Sequence, residues 1–258
     1  MASRRDVQLT IAADLPSAVV AGLGYRSAAE AVADTRGRLV RAIPHRRTFA
    51  TEVFGTTVYR KVRVGRARDA VHEWSMLAQL EALGIRVPRR AFLARDGGRS
   101  AIGTLAVAGR SVFELLRPQP PGARAQRFLV ECVAPMVARL HRAGLFHRDL
   151  YWHHVFAETL DPSASPPVLI DVERTFRPRW RSRRWLVKDL AGLLSSWPRG
   201  PAPVCALRFL RAYSGGRLPA GWKRLARDVI RKAARIRAHV PRYGAPAAGD
   251  RRSIHAGE

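Results

Sequence analysis

Four residues in a fixed order have the types and spacing for phosphoryl transfer: Lys61 in VYRKV, Glu73 in HEW, Asp149 in HRD and Asp171 at the end of the apolar run VLID. A lysine neutralises nucleotide phosphates, and a helix carboxylate holds that lysine. One aspartate takes or orients the acceptor hydroxyl, and a second holds Mg²⁺ against the phosphates. Each is weak alone, because strand lysines are usually solvated and HRD arises by chance. Their order and setting carry the reading. The 22 residues between Asp149 and Asp171 suit a catalytic loop, a strand, a turn and a return strand.

The elements that must position these residues can be read from periodicity. RLVRAI (38–43), RTFATEV (47–53) and TTVYRKVRV (56–64) read as strands, with Phe54-Gly55 as a hairpin turn. Residues 68–84 have helical spacing through Val71, Trp74, Leu77 and Leu80, with Gly84 as the stop. VPRRAFLA and RSAIGTLAVAG, split by Asp96-Gly97-Gly98, form another strand pair. Residues 36–107 therefore read as a small antiparallel sheet interrupted by one helix, with 1–35 as an N-terminal extension holding a short strand and a short helix.

From 108 to 240 the pattern turns helical. Ser111 is a good N-cap for 111–118. The segment 125–144 carries one apolar face, and Pro135 should kink or break it. VKDLAGLLSSW reads as a helix, and 221–240 as a basic amphipathic helix burying Trp222, Leu225, Val229, Ile230, Ala233 and Ile236. Residues 241–258, rich in Gly, Ala, Pro and Arg, have a disordered composition.

The net charge of +26 favours anionic partners, but no helix-turn-helix, zinc or base-stacking signature accompanies it, so nucleic acid is not the expected partner. Only four residues are Lys, namely Lys61, Lys188, Lys223 and Lys232. Lysines retained in so arginine-rich a chain draw notice, since Arg does not replace a compact ammonium at a tight site. Cys132 and Cys205 form no CxxC and read as free thiols in a reducing compartment. No apolar run approaches the ~18 residues of a membrane span. The expectation is a cytoplasmic protein, peripheral at most to the inner face of the membrane.

At this point the chain resembles the lipopolysaccharide kinase (Kdo/WaaP) family, small relatives of the protein kinases. YRKV, HEWSMLAQLEALGIRVPRR, LHRAGLFHRDLYWHHVF, LIDVERT and RRWLVKDLAGLLSS carry the resemblance, over roughly residues 36–197. It implies an α+β, two-lobed protein-kinase-like fold, with a small antiparallel-sheet lobe bearing one helix and a mainly helical second lobe. It also implies ATP and Mg²⁺ as cofactors and a sugar hydroxyl, of Kdo or heptose type, on an anionic envelope glycolipid as acceptor. Asp149 would be the base, Lys61 and Glu73 the phosphate clamp, and Asp171 a metal ligand. His154, five residues after Asp149, either ligates the metal or packs and hydrogen-bonds. His147 and Asp189 would support the catalytic loop, and Lys188 would face the acceptor.

Departures from the kinase pattern matter as well. No GxGxxG precedes Lys61; the turn reads AIPHRRT, where Arg46 or Arg47 either replaces the glycine amides at the phosphates or is solvated. Glu173 stands where DFG has Gly, and 17 residues from Asp171 to Lys188 leave no room for a long activation loop. These losses argue against a peptide-docking protein kinase. RTFRPRWRSRRW (174–185) holds six Arg in residues 174–184, with Phe176, Trp180 and Trp185. Arg174 and Arg177 within it either grip an anionic acceptor or belong to a solvated basic loop. The basic helix likewise either packs on the second lobe or also lies on an anionic membrane surface. A non-catalytic glycolipid-binding module and a small-molecule kinase of the aminoglycoside type stay open as alternatives.

Overall fold

The computed structural model describes residues 8–65, 67–118, 121–198 and 200–239, so the expected tail lies outside the described residues. Two units emerge: residues up to Glu81 with Val87–Val107, and Ala82–Arg86 with the residues from Ala108 onward.

The first unit runs β1 (Gln8–Ile11), α1 (Ser17–Leu23), α2 (Ala28–Ala33), β2 (Arg38–Ile43), β3 (Arg46–Val53), β4 (Thr56–Val64), α3 (Ala67–Ala82), β5 (Arg90–Asp96) and β6 (Arg99–Leu105). Its six strands pair antiparallel in the order β1-β5-β6-β4-β3-β2. Residues 8–35 are thus no separate extension. β1 pairs with β5, Gln8 opposite Arg95, and Leu15, Val19, Leu23, Ala31 and Val32 join the core formed by Phe49, Val58, Val62 and Phe92. Among the described residues the unit has α3 as the one helix within 36–107, as read, and two short helices before residue 36 where one was read.

Period-two alternation in β4 sets the chemistry of both sheet faces. Val58, Arg60 and Val62 are buried on the core side, while Lys61 and Arg63 point the other way. Arg60 is only 1% exposed. Its guanidinium donates to the carbonyls of Asp34 and Arg36, at the C-terminal end of α2, and stacks over Phe49. Tyr25 Oη donates to Asp34 Oδ2 at 2.6 Å, and the Arg36 amide donates to Oδ1 at 2.7 Å. Burial pushes the Asp34 carboxyl up, but these hydrogen bonds and the nearby guanidinium outweigh it and hold the group below the usual carboxylate range.

The second unit runs β7 (Arg110–Ser111), α4 (Val112–Leu116), α5 (Ala123–Phe128), α6 (Ala134–Arg142), β8 (Val155–Ala157), β9 (Val168–Leu169), α7 (Ser182–Ser195), α8 (Pro203–Tyr213) and α9 (Trp222–Arg237). β7, β8 and β9 form a small sheet. Ser111 caps α4 in a full capping box with Glu114. Pro135 acts as expected: lacking an N–H for the Glu131 carbonyl, it follows a π turn over Leu129–Val133 that separates α5 from α6. The wider turn keeps Leu129, Val133, Val137 and Leu140 buried together. α8 has no counterpart in the sequence reading, because prolines and glycines crowd its start; Pro203 occupies its first turn. In α9, Val229 and Ala233 are buried, but Ile230 is 60% exposed, contrary to expectation. It sits at the lip of an apolar cavity rather than in the core.

Asp34→Asn should lower stability by about 1–3 kcal/mol at neutral pH. Because the native carboxyl titrates below its unfolded value, wild type holds this advantage above the ordinary carboxylate range and loses it as pH falls through the native value. Urea midpoints of the two proteins should therefore converge in acid; a gap that stays constant with pH would contradict this.

Candidate active site

In the first unit, Glu73 on α3 is 3% exposed and bound by two cations from β4. Lys61 Nζ lies 2.8 Å from Oε1, and Arg63 Nη2 lies 2.5 Å from Oε2. The expected Lys–Glu pair is present, and Arg63, which the sequence reading missed, completes it. Arg63 is 2% exposed, whereas the Lys61 side chain keeps 20% exposure. A carboxylate this deep needs its charge matched; Arg63 supplies the buried counter-charge and leaves the lysine as the member nearest solvent. The signal for Arg63 was its spacing, two residues after Lys61 and hence on the same strand face.

The β2–β3 hairpin separates the arginines proposed to replace a glycine-rich loop. Arg46 pairs with Arg63 and so shares the Lys61 face; Arg47 pairs with Val62 and falls on the opposite one. Of the two alternatives for Arg47, its exposure agrees with the solvated one.

In the second unit, the HRD loop is held from below by Asp189 on α7, which is fully buried. Oδ2 accepts from the His147 amide at 2.7 Å, and Oδ1 from the Arg148 amide at 2.8 Å. His141 Nε2 lies 3.3 Å from Oδ2, and its Nδ1 lies 2.8 Å from Tyr213 Oη. With the carboxylate accepting from Nε2–H, Nδ1 accepts from the tyrosine, whose phenol burial pushes up and keeps protonated. Gly192 lets α7 press against the loop, since a Cβ there would collide with the Leu150 carbonyl. Ser196 Oγ accepts from the Trp152 amide. His147 is fully buried and bonds the Ile170 carbonyl at 3.0 Å; burial pushes its pKa down and keeps it neutral.

Asp149 sits between two cations. Arg174 Nη1 lies 2.7 Å from Oδ2, and Lys188 Nζ lies 3.5 Å from Oδ1. Burial lowers the Lys188 pKa, opposed by Asp149 and Asp189. Arg177 does not join them; its guanidinium lies over Gly144. Arg148 adopts φ 71° and stacks over Phe176 and Trp185, each at 5.4 Å. Phe146 and Phe176 exchange backbone hydrogen bonds, which ties the short basic segment to the loop.

On the metal side, His154 Nδ1 donates to the Asp149 carbonyl at 2.6 Å, leaving Nε2 with its lone pair 3.9 Å from Asp171 Oδ2. Asp171 itself adopts φ 56°, so its carboxylate leaves the strand at an angle a regular β residue would not reach. Glu173 offers a carboxylate oxygen within 4.8 Å of that of Asp171. The two carboxylates suit a hard divalent cation such as Mg²⁺; the imidazole, a softer partner, lies beside Asp171 alone at 3.9 Å. The sequence reading took Glu173 only as a departure from DFG. Of the basic segment, residues 182–185 form the first turn of α7, and Trp180 is 73% exposed.

The family model for the lipopolysaccharide kinase (Kdo/WaaP) family matches residues 14–213. A curated relative, lipopolysaccharide core heptose(I) kinase WaaP of Pseudomonas aeruginosa, is 30% identical over 241 residues, 83% of this chain and 87% of the relative. The protein of the same description from Escherichia coli K12 is 26% identical over 211 residues, 69% of this chain and 78% of that one. A solved structure described as WaaP in complex with acyl carrier protein superposes with TM-score 0.73 at 29% identity, over 89% of this chain and 99% of that one. An aminoglycoside-3'-phosphotransferase of type VIII, at 20% identity, reaches TM-score 0.51 over 76% of this chain and 92% of that one, and shares the protein-kinase-like fold.

Asp189→Ala should cost about 3 kcal/mol or more, since it strips the acceptor from two amides under the loop. Asp189→Asn, which retains one acceptor oxygen, should cost less. Denaturant unfolding ranks them, and faster hydrogen exchange at His147 and Arg148 locates the damage; unchanged exchange there would contradict the bracing role.

Proposed function

Because the chain belongs to the lipopolysaccharide kinase (Kdo/WaaP) family, a group of phosphotransferases with the two-lobed protein-kinase-like fold, we propose that it transfers the γ-phosphoryl group of ATP to a sugar hydroxyl of the lipopolysaccharide inner core, a heptose by likeness to its curated relatives. The observation that carries the reading is the Asp149 carboxylate, held between Arg174 and Lys188 on the same loop that sets His154 beside Asp171.

Each residue then has a task. Asp149 accepts the proton of the acceptor hydroxyl. Arg174 and Lys188 hold its carboxylate in place and offer positive charge to the group in transit, whose oxygens carry the developing charge. Lys61, fixed by Glu73 and Arg63, binds nucleotide phosphates, with Arg46 on the same face. Asp171, Glu173 and His154 would hold Mg²⁺, which when bound neutralises the phosphate oxygens. Arg177, exposed Trp180 and their neighbouring arginines form a surface for an anionic glycolipid: guanidinium forks match carboxylate and phosphate, and an indole stacks on sugar rings.

Among the described residues no helix is long and apolar enough to cross a membrane. The exposed Lys223, Arg227, Arg231 and Arg235 of α9 suit peripheral attachment to the anionic inner face, worth ~1 kcal/mol per basic residue near the surface. The relative solved in complex with acyl carrier protein points to a second partner. This chain has an apolar cavity of about 440 Å³ between α7, α8 and α9, lined by Trp152, Leu190, Leu194, Phe209, Leu225 and Ile230, of the kind an acyl chain occupies.

With ATP, Mg²⁺ and extracted lipopolysaccharide, Asp149→Asn, Asp171→Asn and Lys61→Met should each lower ADP release roughly a thousandfold or more; wild-type turnover in the aspartate variants would refute the proposal. As the Lys188 ammonium titrates below the ordinary lysine range, the rate should fall on the alkaline side of the pH profile, and Lys188→Arg should move that limb upward. Acyl carrier protein loaded with a fatty acid should raise the melting temperature of the wild type and not of Leu194→Glu; equal shifts would exclude the cavity.

A further inference from the structure

A second cavity in the helical unit, about 830 Å³ in volume, opens between the C-terminal end of α6, the first turns of α7, the end of α8 and the start of α9. Three guanidiniums from three different helices line it: Arg142, Arg183 and Arg224. Among the described residues no carboxylate belongs to its lining, though Asp228 lies just outside it. Arg183 is tied by one nitrogen to Asp228 at 2.6 Å, which fixes its direction. Arg142 and Arg224 have no carboxylate at ion-pair distance among the described residues. Tyr213 and His141 lie at its inner end, and Leu186, Leu225 and Ala138 form apolar walls.

Like charges drawn into one concavity raise each other's energy, and an anion relieves that cost. Guanidinium forks suit phosphate oxygens, the apolar walls suit a ring, and the volume suits a sugar phosphate or nucleotide. The geometry points to a binding site for a phosphate-bearing organic ligand, distinct from the loop that carries Asp149. The inner end gives it a route to that loop. Tyr213 bonds His141, His141 bonds Asp189, and Asp189 holds the amides of His147 and Arg148. An occupant touching Tyr213 therefore acts on the carboxylate that braces the loop.

Inorganic pyrophosphate and glucose 1-phosphate, titrated calorimetrically into the full chain, should bind saturably. Arg142→Gln with Arg224→Gln should weaken binding by roughly tenfold or more per arginine, whereas Lys61→Met should leave it intact. Loss in Lys61→Met alone, or no loss in the double variant, would place the anion at the nucleotide phosphates and overturn the site. Ligand should slow hydrogen exchange at the His147 and Arg148 amides in wild type but not in Tyr213→Phe; unaltered exchange in wild type would overturn the link to the loop. Phosphatidylcholine vesicles with and without phosphatidic acid separate the sources. Binding of vesicles alone, sensitive to the same two arginines, assigns the site to a lipid headgroup; binding of the soluble esters assigns it to a free metabolite.

Discussion

The helical unit turns on one carboxylate, that of Asp189. It is buried with no lysine or arginine side chain at ion-pair distance among the described residues, so its charge is met by directed N–H donors: two backbone amides and one imidazole. Hydrogen bonds to a buried ion are directional and costly to leave unmade. The backbone of His147 and Arg148 is thus fixed, and with it the position of Asp149 and the positive φ of Arg148. Strain of that kind persists only where the surroundings over-determine it. Gly192, one turn after Asp189, brings the helix close enough for the bonds to form.

The chain also shows how a net charge of +26 is accommodated. Arginine is used as a structural part in the interior. Arg60 closes the end of α2 by serving carbonyls and the Asp34 carboxylate, and Arg63 holds Glu73. Both places suit a delocalised, weakly hydrated cation with several donors better than an ammonium. Lysine is found at two carboxylates, Lys61 at Glu73 and Lys188 at Asp149. Removing the carboxylate in any of these pairs would leave a partly buried cation unmatched, which costs more than the pair itself contributes.

Patterns within one element were legible in the sequence. The strand pairs, α3 with its Gly84 stop, the break at Pro135 and the Ser111 cap depend on neighbouring residues, and they fall where periodicity and capping put them. What stayed hidden depends on distant chain segments. β1 joins the sheet through β5, more than eighty residues later, and nothing local announces that pairing. Burial of Arg60 and Arg63 contradicts the usual place of arginine, and only the register explains it. The choice between Arg46 and Arg47 was open in the sequence but turns on register, since Arg47 shares a strand face with the core residue Phe49. Glu173 was read as a missing glycine; its position relative to Asp171 follows from the left-handed turn at that aspartate, which sequence spacing does not reveal.

The short basic segment also shows how the cation of the HRD loop is housed. The arginine beside Asp149 is a strong cation that must be matched, and a phosphorylated residue on a long segment is one way in which such a cation can be matched. Here Phe176 and Trp185 present ring faces to Arg148, and the two rings themselves meet edge to face at 4.9 Å. Cation–π contact needs no modification and is always present. The backbone bonds between Phe146 and Phe176 hold the rings where the guanidinium requires them. With 17 residues between Asp171 and Lys188, and the last seven of them already in α7, the chain has no slack from which to build a regulated loop. The aromatic clamp and the short segment therefore act together: the ring faces shelter the Arg148 guanidinium, whose buried Nε has no hydrogen-bond partner among the described residues, while the amides of His147 and Arg148 stay fixed by Asp189.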